Sequence, residues 1–452
     1  MTKRLPLEGF RILDMSIIYA GPYAGMLLGA MGAEVIKVEA IQRPDQTRAA
    51  GLGLGVPDNR PEGNFWNQGA IYNSTNRNKK DLTLDLTNPK GIELLKELVK
   101  VSDVLLQNFT PRVMKNFGLG YDVLSSINPS LVMLSSCGYG ATGPYSDYRA
   151  MGMGMEGAIG LLYLTGYQGG PPVRARVAFT DFQAARYNTI AILIALQNRR
   201  RTGKGQHIDM AQYECGTWWV GPAILDYTMN GRVQERMGNR HPFMAPHGCY
   251  KCRGGDNWVT MAVGSDEEWN ALCEAMGQPS LARDERFADP LSRLKHQDEL
   301  DAVITEWTSQ REQHEVMDLL QSKGIASGAV LNAKGVLSDP HLKARNMWER
   351  IAHPPESTNV GTRIYPRMPW VSEKIDFPQS TPAPTLGQHN REILNGILGL
   401  TAEQIRELEE KAIIGTVPPN AVAPRVAPVE LMKEQGLIEE FDPNYMEVLG
   451  LK

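Results

Sequence analysis

"FRILDMSIIYAGPYAGMLLGAMGAEVIKVE", residues 10–39, changes its residue vocabulary twice within thirty positions. "FRILDM" is a short β-rich run, "GPYAGMLLGAMG" has a helical composition, and "AEVIKVE" is a second β run. Strand, helix and strand over so short a span make a βαβ unit, which implies a parallel sheet with right-handed crossovers. In an open sheet of that kind ligands bind beyond the strand C-termini. The turn "SIIYAGP" therefore becomes the first place to look for binding residues.

Working outward, "KDLTLDL", "NPKGIELLKELVKVS" and "DVLLQNF" repeat the alternation, and "RVMKNFGLG" with "YDVLSSINPSLVMLSSCGYG" continues it. Between the two blocks, residues 41–75 are rich in Gly, Pro and Asn. A loop of that length is usually functional. Asp181 stands ahead of "FQAARYNTIAILIALQNRR", which keeps helical spacing until the stop signal "RTGKGQ". A strand, "HIDMAQYE", follows. Composition changes near 240, and from there to about 345 a hairpin and three helix-like stretches read as a smaller α+β domain. Residues 353–385 are Pro-rich and extended, "REILNGILGL" and "TAEQIRELEEKA" read as C-terminal helices, and 417–452 is a Pro-rich, then acidic tail.

The 452 residues exceed one ordinary core, and 42% apolar with 22% charged residues suits a globular protein. A net charge of −4, with no basic run longer than Arg199–Arg201, argues against a nucleic-acid or membrane partner. The first residues lack an apolar signal core, and runs such as "IAILIAL" are too short to span a bilayer. Five cysteines in such a chain make no disulfide framework. The expectation is a cytoplasmic protein.

Several motifs have bland readings. "GMGMEG" (Gly152, Gly154, Gly157) matches a dinucleotide fingerprint but follows a loop rather than a strand, so close helix packing explains it better. "HGCYKC" (His247, Cys249, Cys252) lacks a fourth ligand, and on a strand the two cysteines face opposite ways, so no metal site is expected. The basic clusters are more suggestive. Arg77, Lys79 and Lys80 in "NRNKK" precede a strand, while Asn108, Phe109, Arg112 and Lys115 in "NFTPRVMKN" follow one. Together with Tyr19 and Ala20 in the first turn they would suit a polyphosphate ligand at helix N-termini; each cluster alone equally suits a solvated face. Asp181 by pattern alone reads as a helix cap.

The ordered segments "LPLEGFRILDMS…AGP…GAEVIKVE", "NRNKKDLTLDL", "VSDVLLQNFTP", "SSCGYGATGPY", "LTGYQGGPPVRARVAFTDF", "RRRTGKGQHIDMAQYE" and "PTLGQHNREILNGILGL" resemble the family III CoA-transferases. That family includes formyl-CoA, carnitine and bile-acid CoA-transferases, with α-methylacyl-CoA racemases as relatives. The resemblance implies an α/β fold whose Rossmann-like large domain is built from both chain ends, a smaller α+β domain, and two subunits interlocked as a homodimer. Residues 1–215 would form the first part of the CoA-binding domain, 216–240 a linker, 241–345 the small domain, 346–385 an extended linker, and 386–452 the returning helices and tail. It also implies that Asp181 is the catalytic aspartate. Tyr19, Ala20, Arg77, Lys79, Lys80, Asn108, Phe109, Arg112 and Lys115 would cradle coenzyme A, which serves as substrate, with no permanently bound cofactor. The partners would be an acyl-CoA donor and a carboxylic acid acceptor. The chain departs from several relatives at Ala40, Asn116 and Cys137, where they carry basic residues. A Gly-rich loop typical of the formyl-CoA branch is also missing, which points toward the carnitine and bile-acid type. An α-methylacyl-CoA racemase would need an acid–base pair, and residues 148–158 contain no histidine. A non-catalytic acyl-CoA-binding protein is the remaining alternative, and it would not require Asp181.

Overall fold

β1 (Arg11–Asp14) lies between β2 (Glu34–Glu39) and β4 (Val104–Gln107), all parallel. With β3 (Lys79–Thr83), β5 (Val132–Cys137) and β6 (Gln206–Ala211) they form a six-stranded parallel sheet in the order β3-β2-β1-β4-β5-β6. This is the strand order of doubly wound α/β sheets, and it reverses between β1 and β4. The computed structural model describes residues 4–48, 55–175, 177–357 and 359–451. Residues 49–54 of the expected 41–75 loop, and Arg176 in the segment before Asp181, lie outside the described residues.

Successive strand residues point to opposite faces, and both faces here are apolar. Leu13, Ile36, Leu82, Leu105 and Met133 pack on one side, against the helix Pro89–Lys100 and the helices Asn390–Gly396 and Ala402–Glu410. Ile12, Val35, Val104, Leu106 and Leu134 pack on the other, against the helices Ala20–Ala30 and Phe179–Thr202. Burial on both faces explains why the central strands β1, β4 and β5 carry apolar residues at consecutive positions. Helices within residues 390–410 thus cover the sheet that the chain's first residues begin.

The chain divides into two compact units. One comprises Met1–Leu161, Ala175–Pro222 and Asn346–Lys452, and the other Leu162–Arg174 and Ala223–Arg345. The second unit has its own core, built on a three-stranded antiparallel sheet of β7 (His247–Lys251), β8 (Trp258–Ala262) and β9 (Ala326–Ala329). Trp269, Phe287, Leu300 and Ile304 fill that core.

Some expectations need correcting. Residues 216–240 are not a plain linker, because they hold the 3-10 turn Trp218–Val220 and the helix Gly221–Asn230. The Pro-rich stretch contains half of an antiparallel hairpin, β10 (Trp348–Ala352) with β11 (Thr362–Pro366). Close packing does not account for Gly154, since an added Cβ there would meet nothing within 4 Å.

Candidate active site

At the C-terminal edge of the sheet, beside the reversal point, lies a cleft of about 490 Å³. Met15 and Ile17 from the turn after β1, Arg43 and Gln46 from the loop after β2, and Asn108 and Phe109 after β4 line it. The turn is held under strain. Ile18 has φ 71°, and a β-branched residue in the left-handed region costs roughly 1–3 kcal/mol. Neighbouring side chains offset that cost. Asn108 Oδ1 accepts from the Ile17 N–H at 2.9 Å, and its Nδ2 donates to the Ile17 carbonyl at 2.8 Å. The Ile18 N–H donates to the Asp45 carboxylate at 3.3 Å. Gly21 follows closely, and a Cβ there would fall 2.1 Å from Ser16 Cβ.

The loop carrying Arg43 and Gln46 is anchored by a buried ionic network. Lys37 Nζ pairs with Asp45 at 3.1 Å, and Arg48 pairs with Glu39 at 2.9 Å and Asp81 at 3.0 Å. The Arg48 guanidinium also lies 3.8 Å from the Tyr72 ring centroid. Burial alone would raise the Glu39 pKa, but Arg48 and Lys37 outweigh it and hold the carboxyl below its ordinary range. Arg43 is left exposed at the cleft. The sequence reading missed it, because an arginine in a Pro-containing loop gives no sign of which way it will point.

Asp181 lies on the far side of the same turn. The helix Phe179–Thr202 begins two residues before it, with Ala178 as N-cap and no side-chain cap bond. Asp181 is therefore not a cap. It occupies the third position of the first turn, where unpaired backbone N–H groups and the helix dipole favour a negative charge. It is partly buried, and Gln212 Nε2 lies 3.5 Å from its Oδ1. Phe182 packs against Tyr19 and Tyr23 at centroid distances of 5.4 and 5.0 Å. Burial, then the Asp181 charge, raises the Tyr19 pKa, so that phenol stays protonated beside the carboxylate. The preceding Thr180 is 1% exposed, and its hydroxyl lacks a hydrogen-bond partner among the described residues.

The expected CoA-binding residues fall into three groups. Tyr19, Ala20, Asn108 and Phe109 gather around the turn between the cleft and Asp181. Arg112 and Lys115 are exposed on the short helix Pro111–Asn116, whose Val113 lines the cleft. Arg77, Lys79 and Lys80 are placed elsewhere. They precede or open β3, about 13 Å of strand away from its C-terminal end. Arg77 is buried against Glu349 at 2.6 Å. Lys79 is buried against Asp14 at 2.7 Å, and desolvation brings its pKa down to about 8 despite that partner. Lys80 pairs with Glu34 and Glu392. Their charges are spent within the fold. Cys137 donates to the Phe109 carbonyl, and burial pushes its thiol up to about 12, which makes it a packing group. Among the described residues no cluster of His, Cys, Asp or Glu could hold a metal ion, and no helix is long and apolar enough to cross a membrane.

Comparison with known proteins fits this geometry. Residues 7–390 match the family model described as "CoA-transferase family III". The chain is 36% identical over 410 residues to the succinyl-CoA–D-citramalate CoA-transferase of Chloroflexus aurantiacus, covering 90% of this chain and 98% of that protein. It is 32% identical to the succinate–glutarate CoA-transferase of Agrobacterium fabrum, covering 87% and 96%. The crystal structure of a CAIB/BAIF family protein from Brucella suis superposes with a TM-score of 0.78 at 32% identity, covering 87% of this chain and 99% of that one. The two transferases are named for small dicarboxylic acids, not for carnitine or bile acids.

Proposed function

We infer that this chain, which belongs to CoA-transferase family III and moves CoA between an acyl-CoA and a free acid, works through Asp181. One observation carries the assignment. The turn after β1 lines the cleft with Met15 and Ile17, and two residues later places Tyr19 beside Asp181. CoA bound in the cleft of this Rossmann-like sheet would run its thioester end along that turn to the carboxylate. Arg43, Arg112 and Lys115 supply cations for the phosphates, while Asn108 and Phe109 shape the floor.

Asp181 attacks the acyl carbonyl, the C–S bond breaks, and CoA leaves as the thiolate, giving a mixed anhydride. The thiolate attacks the aspartyl carbon, and the donor's acid departs. The incoming acid then reverses both steps. An ordinary Asp is ionised at neutral pH, so no general base is required. Tyr19, kept neutral, has a hydroxyl able to donate to charge near the carboxylate.

The relatives' names support a succinyl-CoA donor and a C4 or C5 dicarboxylic acceptor, in place of a carnitine or bile-acid substrate. Residues 148–158 hold no histidine to serve as the acid–base partner that racemisation would need beside Asp181. A cytoplasmic homodimer completes the reading. Trp218 is 77% exposed, and Ile190 and Ile194 on the Asp181 helix are 50% and 64% exposed, which supports a partner covering them.

Incubation with succinyl-CoA should leave an adduct on the Asp181 peptide that hydroxylamine removes. Labelled dicarboxylic acid should enter the thioester pool without ATP. A folded Asp181→Ala protein transferring CoA at the wild-type rate would overturn the assignment.

A further inference from the structure

A relay through an aspartate passes through two kinds of tetrahedral oxyanion, and they form on different carbons. One is on the substrate's acyl carbon. The other is on the aspartate's own Cγ, where the negative charge falls on the carboxyl oxygen that stays with the enzyme. Each needs a hydrogen-bond donor aimed at the oxygen that becomes charged.

Gln212 opens the helix Gln212–Thr217 immediately after β6, and it is 8% exposed. That helix begins where the backbone leaves the sheet's C-terminal edge, so its first side chain is fixed by a strand rather than by a loop. The Gln212 Nε2 is 3.5 Å from Asp181 Oδ1. A carboxylate only accepts, so the amide must present its NH2 end to it. A buried primary amide is costly unless it is hydrogen-bonded, yet this contact is long. A donor at that distance is underused in the resting state, and such contacts tighten when charge builds on the acceptor.

We propose that Gln212 is a catalytic residue, the oxyanion donor for reactions at the Asp181 carboxyl carbon. The inference rests on the reading of Asp181 as nucleophile. Oδ1, already facing the amide, stays as the carbonyl oxygen, and Oδ2 is the attacking oxygen. In the first step Oδ2 bonds to the acyl carbon and the CoA thiolate leaves, so Oδ2 becomes the bridge of the anhydride. In the second step the thiolate sulfur bonds to Cγ, and the C=O electron pair moves onto Oδ1, where Gln212 stabilises it. The pair then returns, the Cγ–Oδ2 bond breaks, and the donor's acid departs with Oδ2. The acceptor's carboxylate later attacks the same Cγ through the same oxyanion. Gln212 thus serves the aspartyl-thioester half of each exchange and contributes little to the first attack on substrate.

The test separates the halves. Gln212→Met keeps the side-chain length and removes the donor. It should lower kcat by roughly 100-fold to 1,000-fold, the effect of losing one oxyanion donor, with KM changed less than threefold. Rapid quench after mixing with succinyl-CoA should show the first CoA release near the wild-type rate. The Asp181 peptide should then carry the succinyl adduct in place of the CoA thioester. A purely structural role would slow both halves together and lower the melting temperature. Gln212→Asn retains the amide with shorter reach and should recover part of the thioester step; if the methionine variant fails to fold, the same quench on this one decides. A normal adduct partition in the folded methionine variant, or in the asparagine variant where that is the one that decides, overturns the role of Gln212 alone. A wild-type enzyme with no adduct on the Asp181 peptide overturns the nucleophile assignment itself.

Discussion

Two arginines show how burial decides what a charge can do. Arg77 is 4% exposed and spends its guanidinium on Glu349, with a further bond to the Pro366 carbonyl at 3.2 Å. Arg43 is exposed at the cleft. Breaking a buried pair leaves an uncompensated charge, so Arg77→Met should destabilise the fold by about 3–5 kcal/mol. Its KM for acyl-CoA should stay unchanged, which steady-state kinetics below the melting range would check. Arg43→Ala should do the opposite. Stability should hold while KM for acyl-CoA rises roughly tenfold, as for a lost hydrogen bond to a charged group. That rise should shrink in high salt. The sequence could not tell these residues apart, because Arg77 finds its partner 272 positions away. Thr180 offers a third reading at this scale. Its buried hydroxyl is unpaired among the described residues, so Thr180→Val should be neutral or stabilising by up to about 1 kcal/mol in a urea melt.

At the scale of elements, what was legible followed from periodicity, and what was not depended on side chains without a local signal. The βαβ unit over 10–39 announces itself because strand residues on both faces of the sheet are apolar, and the hairpin β7–β8 because "RGGDN" supplies its turn. The start of the Asp181 helix was misplaced because Ala178 makes no side-chain cap bond. The hairpin β10–β11 was hidden because its second strand lies in a proline-rich stretch. It has a consequence for acid stability. His353 is buried there, its Nε2 2.8 Å from the Tyr365 hydroxyl. Desolvation first, then Arg363 and Arg77, lowers its pKa to about 4. The unfolded chain binds this proton near pH 6.5 and the folded one near 4, so between those values the unfolded state holds more protons. Stability from this group is therefore complete above pH 6.5 and lost as pH falls toward 4, by up to about 3 kcal/mol. Urea melts across that window should show the slope, and His353→Phe should flatten it.

At the scale of the whole molecule, the helix that carries Asp181 leaves apolar side chains uncovered. Ile190 and Ile194, one turn apart on the Asp181 helix, are 50% and 64% exposed. Trp218 packs near Tyr187 at 6.4 Å, and Trp219 packs edge-on to Phe179 at 4.8 Å, which joins the two tryptophans to the same helix. Apolar side chains left bare on one face imply cover. A second copy of the chain is the proposed cover, and the site would then be complete only in the dimer. If the two copies interlock, separation requires unfolding, and the link between association and folding becomes measurable. Light scattering should give twice the 50.1 kDa chain mass, unchanged on dilution to nanomolar concentration. The melting temperature and the transferase activity should be lost together, with no folded monomer between. A charge placed in the strip, Ile194→Glu, should lower the yield of folded dimer without releasing an active monomer. An active, folded 50 kDa species at any dilution would show instead that the apolar strip has another occupant.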